Sequence, residues 1–249
     1  RIAEEAFAKI ETINKVILPE SLEEIGAGAF RGCLLMQTIT LPKGIRRIGA
    51  GAFEDCVKLL RIEIPAQVES LGNRVFCRCR ALQEVHLPEG LYKIGESAFY
   101  GCSGLKKIQF PKNLTFIGKM AFYRSGLREV RILPGTEYVE SLAFARSSLQ
   151  KAWISGGRET GKHYGADVFG GCARLRTLVF EEGVRHIPDK AAYGCAALDR
   201  VVLPETLESV GRHSLEGSAF LKRWKEQMTG GDSAFLEQGK EQVTHEGSM

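Results

Sequence analysis

Long apolar runs are the first thing this sequence lacks. No stretch approaches the roughly 18 uninterrupted apolar residues of a membrane helix, so the chain is not expected to span a bilayer. The N-terminus, Arg1-Ile2-Ala3-Glu4-Glu5, has no basic segment followed by an apolar one, so no signal peptide is expected there. It also lacks an initiator Met, so the chain is expected to be a processed or trimmed piece, any export signal having been cut away. An excess of one charge is missing too. The 34 basic and 30 acidic residues leave a formal +4, too mild to point to nucleic acid. Seven cysteines cannot all pair within one chain. Catalytic signatures are absent: no Walker loop, no His-Glu-x-x-His, no Gly-x-Ser-x-Gly. His86, His163, His186, His213 and His245 show no metal spacing, and Cys77-Arg78-Cys79 lacks the further ligands zinc needs. No enzyme activity, cofactor or metal is therefore expected.

What is there is a repeat. Phe30, Phe53, Phe76, Phe99 and Phe122 stand 23 residues apart, and Cys33, Cys56, Cys79 and Cys102 follow with the same step. Pro19, Pro42, Pro65, Pro88 and Pro111 keep that step, as do Gly26, Gly49, Gly72, Gly95 and Gly118. The unit reads Ala-Phe-x-x-Cys-x-x-Leu-x-x-Ile-x-Leu-Pro-x-x-Leu-x-x-Ile-Gly-x-x. Its Ile-x-Leu predicts a half-buried strand, ended by a Pro that cannot donate to a ladder. The following Leu-x-x-Ile predicts a turn back and a second short strand. The Gly suits a tight turn at positive φ, and Ala-Phe-x-x-Cys a single helical or 3-10 turn. An earlier coil begins at Phe7. Later ones begin at Phe144, Phe169 and Tyr193, and a last one at Leu215. One unit cannot bury its apolar face alone, so stacking is required. The repeat cysteines are expected to be buried as small hydrophobes, with Cys77 facing solvent as a free thiol. Gly26-Ala27-Gly28-Ala29-Phe30 resembles a dinucleotide fingerprint but recurs at Gly49-Ala50-Gly51-Ala52-Phe53, and so belongs to the repeat.

This pattern resembles the BspA-like leucine-rich repeats, named for bacterial surface proteins. The resemblance runs over about residues 3–215. It implies an α/β leucine-rich-repeat solenoid of about nine coils, curved, with a parallel sheet on its concave side. It also implies a bacterial surface or secreted location and adhesion to host proteins or cells.

The repeat breaks in its second half. The coil from Phe122 has 22 residues and the next has 25, with Ser125 and Ser147 in the cysteine place. A Gly-rich polar stretch, Ser155 to Tyr164, replaces the usual Pro. The chain therefore reads as a solenoid over 1–215 with an irregular insertion at 155–168. A C-terminal cap at 216–229 carries Phe220, Leu221, Trp224 and Met228, and a frayed tail covers 230–249. The N-terminal end is expected to be weakly capped, giving a monomer or weak end-to-end association.

One side chain per strand should point outward. Down the stack these are Ile17, Thr40, Glu63, His86, Gln109, Arg131, Trp153, Val179 and Val202. They would form a strip about 40 Å long, by eight spacings of ~4.8 Å. Trp153 beside Arg131 is a candidate hot spot, unless the loop at 155–164 folds over it. The two places before the strand add Lys15, Arg61, Lys106, Lys107, Arg128, Lys151, Arg176 and Arg200, against Glu84, Glu129 and Asp199. Candidate ligand-binding residues are Trp153, Arg131, Val179, Gln109, His86, Lys107, Lys151 and Arg128, with His163 and Tyr164 from the loop. The basic bias favours a host or matrix protein or an acidic glycan as partner. A structural spacer is the alternative, and a glycan-binding module a third reading, to which Trp153, Tyr164 and Tyr138 would contribute.

Overall fold

The computed structural model describes residues 1–156 and 163–227. The chain winds as a parallel-strand solenoid of about eight turns, with very little helix. Its short strands, numbered along the chain, fall into two rows. The first row holds β1 (Lys15–Val16), β3 (Thr38–Ile39), β5 (Arg61–Glu63), β7 (Glu84–His86), β10 (Glu129–Ile132), β12 (Lys151–Ile154), β14 (Thr177–Phe180) and β16 (Arg200–Val202). The second holds β2 (Glu24–Ile25), β4 (Arg47–Ile48), β6 (Ser70–Leu71), β8 (Lys93–Ile94), β9 (Phe116–Ile117), β11 (Tyr138–Val139), β13 (His163–Tyr164), β15 (His186–Ile187) and β17 (Ser209–Val210). A tight turn joins the rows in each regular coil. Pro19, Pro42, Pro65, Pro88 and Pro111 open it, each carbonyl accepting from the N–H three residues on at 3.0–3.1 Å.

The core is a column of rings. Phe7, Phe30, Phe53, Phe76, Phe99, Phe122, Phe144 and Phe169 lie one per turn, centroids 5.1–5.7 Å apart and planes within 20°. Every ring but Phe7 is wholly buried. Burying one such side chain contributes about 1.5–3 kcal/mol. The column stops after Phe169 because the next equivalent residue is Ala192, not Tyr193. Ala192 is fully buried while Tyr193 is 44% exposed, so that coil begins one residue earlier than the aromatic type suggested.

Around each ring the expected helical or 3-10 turn is a run of tight turns. Alternate N–H groups point in two directions. Those of Gly28, Phe30 and Gly32 donate to Ala50, Ala52 and Glu54 of the next coil. Those of Ala29, Arg31 and Cys33 donate three residues back in their own coil. The alternation requires left-handed residues, such as Gly28 and Gly32, or Arg74 and Arg78 where side chains occupy the same places. Gly49, which recurs at the repeat step, is not among the left-handed residues. It is glycine because a Cβ there would come within 2.4 Å of the Ala27 nitrogen in the coil before, so close backbone approach, not positive φ, sets the choice.

The cysteines do more than fill space. The thiols of Cys56, Cys79 and Cys102 donate to the carbonyls of Phe30, Phe53 and Phe76 at 3.1–3.2 Å, each Phe belonging to the preceding coil. Cys172 and Cys195 do the same to Phe144 and Phe169. All seven cysteines are free and buried. Cys77 is among them, 1% exposed, and does not face solvent. Arg74 and Arg78 flank it and are drawn across the coil edge by Glu54 and Asp55. Burial pushes its thiol up in pKa, away from reactivity.

The first row is two four-stranded sheets, not one continuous ladder. β1, β3, β5 and β7 form one, and β10, β12, β14 and β16 the other. Lys107 to Phe110 lie between them and make no strand. The break falls where the coil length changes. Ser125-Gly126-Leu127 has one residue fewer than the Cys-x-x-Leu of regular coils, so its backbone crosses close over the coil before. A Cβ on Gly126 would meet the Ser103 oxygen at 2.1 Å. At the other end, helix α1 (Ala219–Gln227) lays Trp224, 7% exposed, against the last coil. The tail at 230–249 lies outside the described residues.

Candidate functional site

The outward residues of β10, β12, β14 and β16 share one face, because the strands pair in parallel with Arg131 opposite Trp153 and Trp153 opposite Val179. The register also aligns Glu129, Lys151, Thr177 and Arg200. Trp153 is half-buried among these neighbours. The Arg131 guanidinium lies 5.2 Å from the Trp153 ring centroid, a cation–π contact. Arg131 is also ion-paired with Glu181, which accepts a hydrogen bond from the Ser155 hydroxyl. So Arg131 braces the tryptophan, and its charge is met within the chain. Of the loop at 155–164 that the sequence offers as a cover for Trp153, residues 157–162 lie outside the described residues.

Lys107, Arg128 and Lys151 are all exposed on or beside this face. Arg128, Gln150 and Arg176 follow one another at the strand entrance, linked by backbone hydrogen bonds from Gln150 to Arg128 and from Arg176 to Gln150. His86 and Gln109 sit farther along. His86 pairs with Glu84 at 2.7 Å in the first sheet, and Gln109 occupies the strandless coil. The proposed strip therefore has an interruption in its hydrogen-bonded frame.

His163 and Tyr164 do not join Trp153 on this face. They form β13 in the second row. His163 stacks on Tyr138, centroids 5.1 Å apart and planes at 12°. Tyr164 turns inward against the core, its hydroxyl 3.4 Å from the Ser155 carbonyl, and burial pushes that phenol up in pKa. The proposed grouping of Trp153, Tyr164 and Tyr138 is thus spread over two rows.

The chain matches the BspA type leucine rich repeat region over residues 1–128 and again over 93–222, in six copies. The chain belongs to the BspA type leucine-rich-repeat family. Among solved structures it is similar to a leucine-rich repeat protein from Bacteroides ovatus, with TM-score 0.66 and 24% identity over 87% of this chain and 62% of that one. It is similar to the leucine rich repeat protein TpLRR of T. pallidum, with TM-score 0.57 and 25% identity, covering 83% and 88%. The pneumococcal vaccine antigen PcpA follows at TM-score 0.51 and 21% identity, covering 81% and 59%. The chain spans less than two thirds of the Bacteroides protein. No curated protein matches it.

One feature of this BspA-type coil escaped the sequence reading. The outward places of β8, β9, β11 and β13 align Lys93, Phe116, Tyr138 and His163. The Lys93 ammonium lies 5.0 Å from the Phe116 ring, which tilts against Tyr138 at 6.1 Å. Phe116 in an outward place of the second apolar pair was the available signal. Farther on, His186 meets the Ser209 hydroxyl at 2.7 Å and Glu208 at 3.7 Å. That trio has the chemistry of a hydrolytic triad but lies open on the sheet, His186 being 66% exposed, and Glu208 also pairs with Arg185. Among the described residues no group of three or more His, Cys, Asp or Glu is placed to hold a metal, and no helix is long and apolar enough to cross a membrane.

Proposed function

We propose that this chain is a non-catalytic binding module of a surface-exposed or secreted bacterial protein, and that it holds a host or matrix macromolecule on the first-row face around Trp153. The observation that carries this is the braced tryptophan. Trp153 sits mid-sheet, with Arg131 over its ring and Glu181 tethering Arg131. Tryptophan and arginine are the side chains most enriched in binding hot spots, and a pre-ordered pair loses little entropy on association. Family membership supports the reading, since BspA-type repeats are often surface-associated and protein-binding.

The test is binding of this chain to a panel of extracellular-matrix proteins, beside Trp153→Ala. Loss of more than about 2 kcal/mol of affinity, with unfolding midpoint unchanged, makes Trp153 a hot spot. Equal binding by both sinks this site. A chain that binds nothing on the panel leaves the spacer reading, which the uniform N-terminal coils favour.

A further inference from the structure

The charge on the first-row face is uneven. On β1, β3, β5 and β7 the outward cations Lys15 and Arg61 are matched by Glu63 and Glu84. Beyond the first sheet the balance is lost. Lys107, Arg128, Lys151, Arg176 and Arg200 are all exposed, and none is ion-paired among the described residues. The cap adds one more. Arg223 of α1 donates to the Asp199 carbonyl at the end of the same face. The acids on this face are Glu129, Asp199 and Glu181, and Glu181 is already held by Arg131.

The arrangement of these cations matters as much as their number. They alternate between two adjacent columns along the solenoid axis, one cation per coil: Lys107, Lys151 and Arg200 in one, with Glu129 and Thr177 between them, and Arg128 and Arg176 in the other, with Gln150 between them and Asp199 after Arg176. From Lys107 to Arg200 the span is about 19 Å, by four spacings of ~4.8 Å. Each strand keeps its position rigidly through the ladder. A protein partner would normally meet an interface whose centre is poor in charge. This face is charged along its length, with one tryptophan beside the columns. A linear chain bearing an anionic group on successive units meets each cation in turn, and the flat apolar faces of its sugar rings can lie on Trp153. Resting on the reading of this face as the binding face, we infer that the second sheet takes a sulfated polysaccharide lying along the solenoid axis.

The experiment titrates the chain with a heparin octasaccharide, its desulfated counterpart, polyglutamate and a single-stranded oligodeoxythymidine. The variants are Arg128→Ala/Arg176→Ala, Lys151→Ala/Arg200→Ala and, as a control from the first sheet, Lys15→Ala/Arg61→Ala. We expect the sulfated octasaccharide to bind and the desulfated one not to. Each second-sheet double variant should weaken binding by about tenfold or more, and the control by less than about twofold. Raising salt from about 0.05 to 0.3 M should weaken it further, as screening shortens the reach of each charge. Four results overturn the inference: no binding of the sulfated probe, equal binding of the desulfated one, tighter binding of polyglutamate or the oligonucleotide, or equal loss in the control. If the sulfated probe fails while a matrix protein still binds through Trp153, this inference falls and the broader binding reading stands.

Discussion

The two halves of the solenoid solve the same packing problem under different rules. From Phe7 to Phe122 each coil has 23 residues, the strands of the first row are two or three residues long, and its outward charges cancel. From Phe122 onward coils of 22 and 25 residues appear, three strands lengthen to four residues, and Trp153 and unpaired cations gather on the surface. Both halves bury the same phenylalanine column. A solenoid is stabilised by contacts between neighbours, so one stretch can hold the stack while another departs from the repeat. The regular coils specify packing, and the irregular ones gain a surface that differs from its neighbours.

The sharpest way to break this comparison is to cut the column in each half. Phe53 has a ring on both sides, whereas Phe169 has Phe144 on one side and Ala192 in the next coil. Phe53→Ala should cost about 3–5 kcal/mol in urea unfolding, and Phe169→Ala about 1 kcal/mol less, since one ring contact fewer is lost. Equal losses would mean that the halves are energetically alike.

Glycines give the next effect in size. Gly49→Ala forces a Cβ to within 2.4 Å of backbone in the coil before and should cost at least about 2 kcal/mol. Gly194, in the irregular half, has nothing within 4 Å of its Cβ position and a φ of +70°. Its alanine variant should lose only the left-handed strain, about 1 kcal/mol, by the same measurement.

Smaller effects lie in the cysteine column. Ser125 replaces the repeat cysteine, and its buried hydroxyl has no hydrogen-bond partner. Ser125→Ala should therefore raise stability by about 1 kcal/mol, while Cys79→Ala, which orphans nothing but loses a donor and volume, should lower it by a similar amount. Thermal unfolding of both variants checks the opposite signs.

The smallest effect depends on pH. Desolvation holds the Asp167 carboxyl above the ordinary aspartate value, against the pull of Lys190 and Arg146. An acid with a raised folded value favours the folded state while protonated. Its contribution is full below the unfolded value of about 3.9 and is lost as pH rises through the folded one. Asp167→Asn should remove that acidic-range loss from a series of unfolding midpoints, and an unchanged slope would refute the assignment.

Much of the fold was legible because the solenoid repeats its chemistry at a fixed step. Phe, Cys, Pro and Gly recur in register, and each has one place in the coil. What was misread came from places where two physical causes share one residue type. Gly49 was read as a turn former, when the crowding of two backbones selects it. Tyr193 drew the coil start to itself because it is aromatic, although the buried place belongs to Ala192. Cys77 follows the core Phe76, a place that predicts exposure, whereas the Glu54, Asp55, Arg74 and Arg78 pairs close the edge around it. The candidate face was legible in part. Alternation placed Arg131, Trp153 and Val179 together, but the interruption at Lys107–Phe110 depends on coil geometry that no single residue announces. The pairing of Arg131 with Glu181, 50 positions apart, needs the stacked coils to exist first.

The thiol-to-carbonyl bonds have a consequence for how this molecule comes apart. Each of Cys56, Cys79, Cys102, Cys172 and Cys195 is sealed by the coil before it; burial pushes up the thiols of Cys56, Cys79 and Cys102, and the hydrogen bond with Cys172, with burial behind it, pushes up that of Cys195. A thiol becomes available to an alkylating reagent only when its own coil parts from that neighbour. The protein thus carries a row of built-in chemical timestamps. Brief alkylation during unfolding, followed by mapping of the modified sites, would record which coil opened first and in which direction the opening travelled.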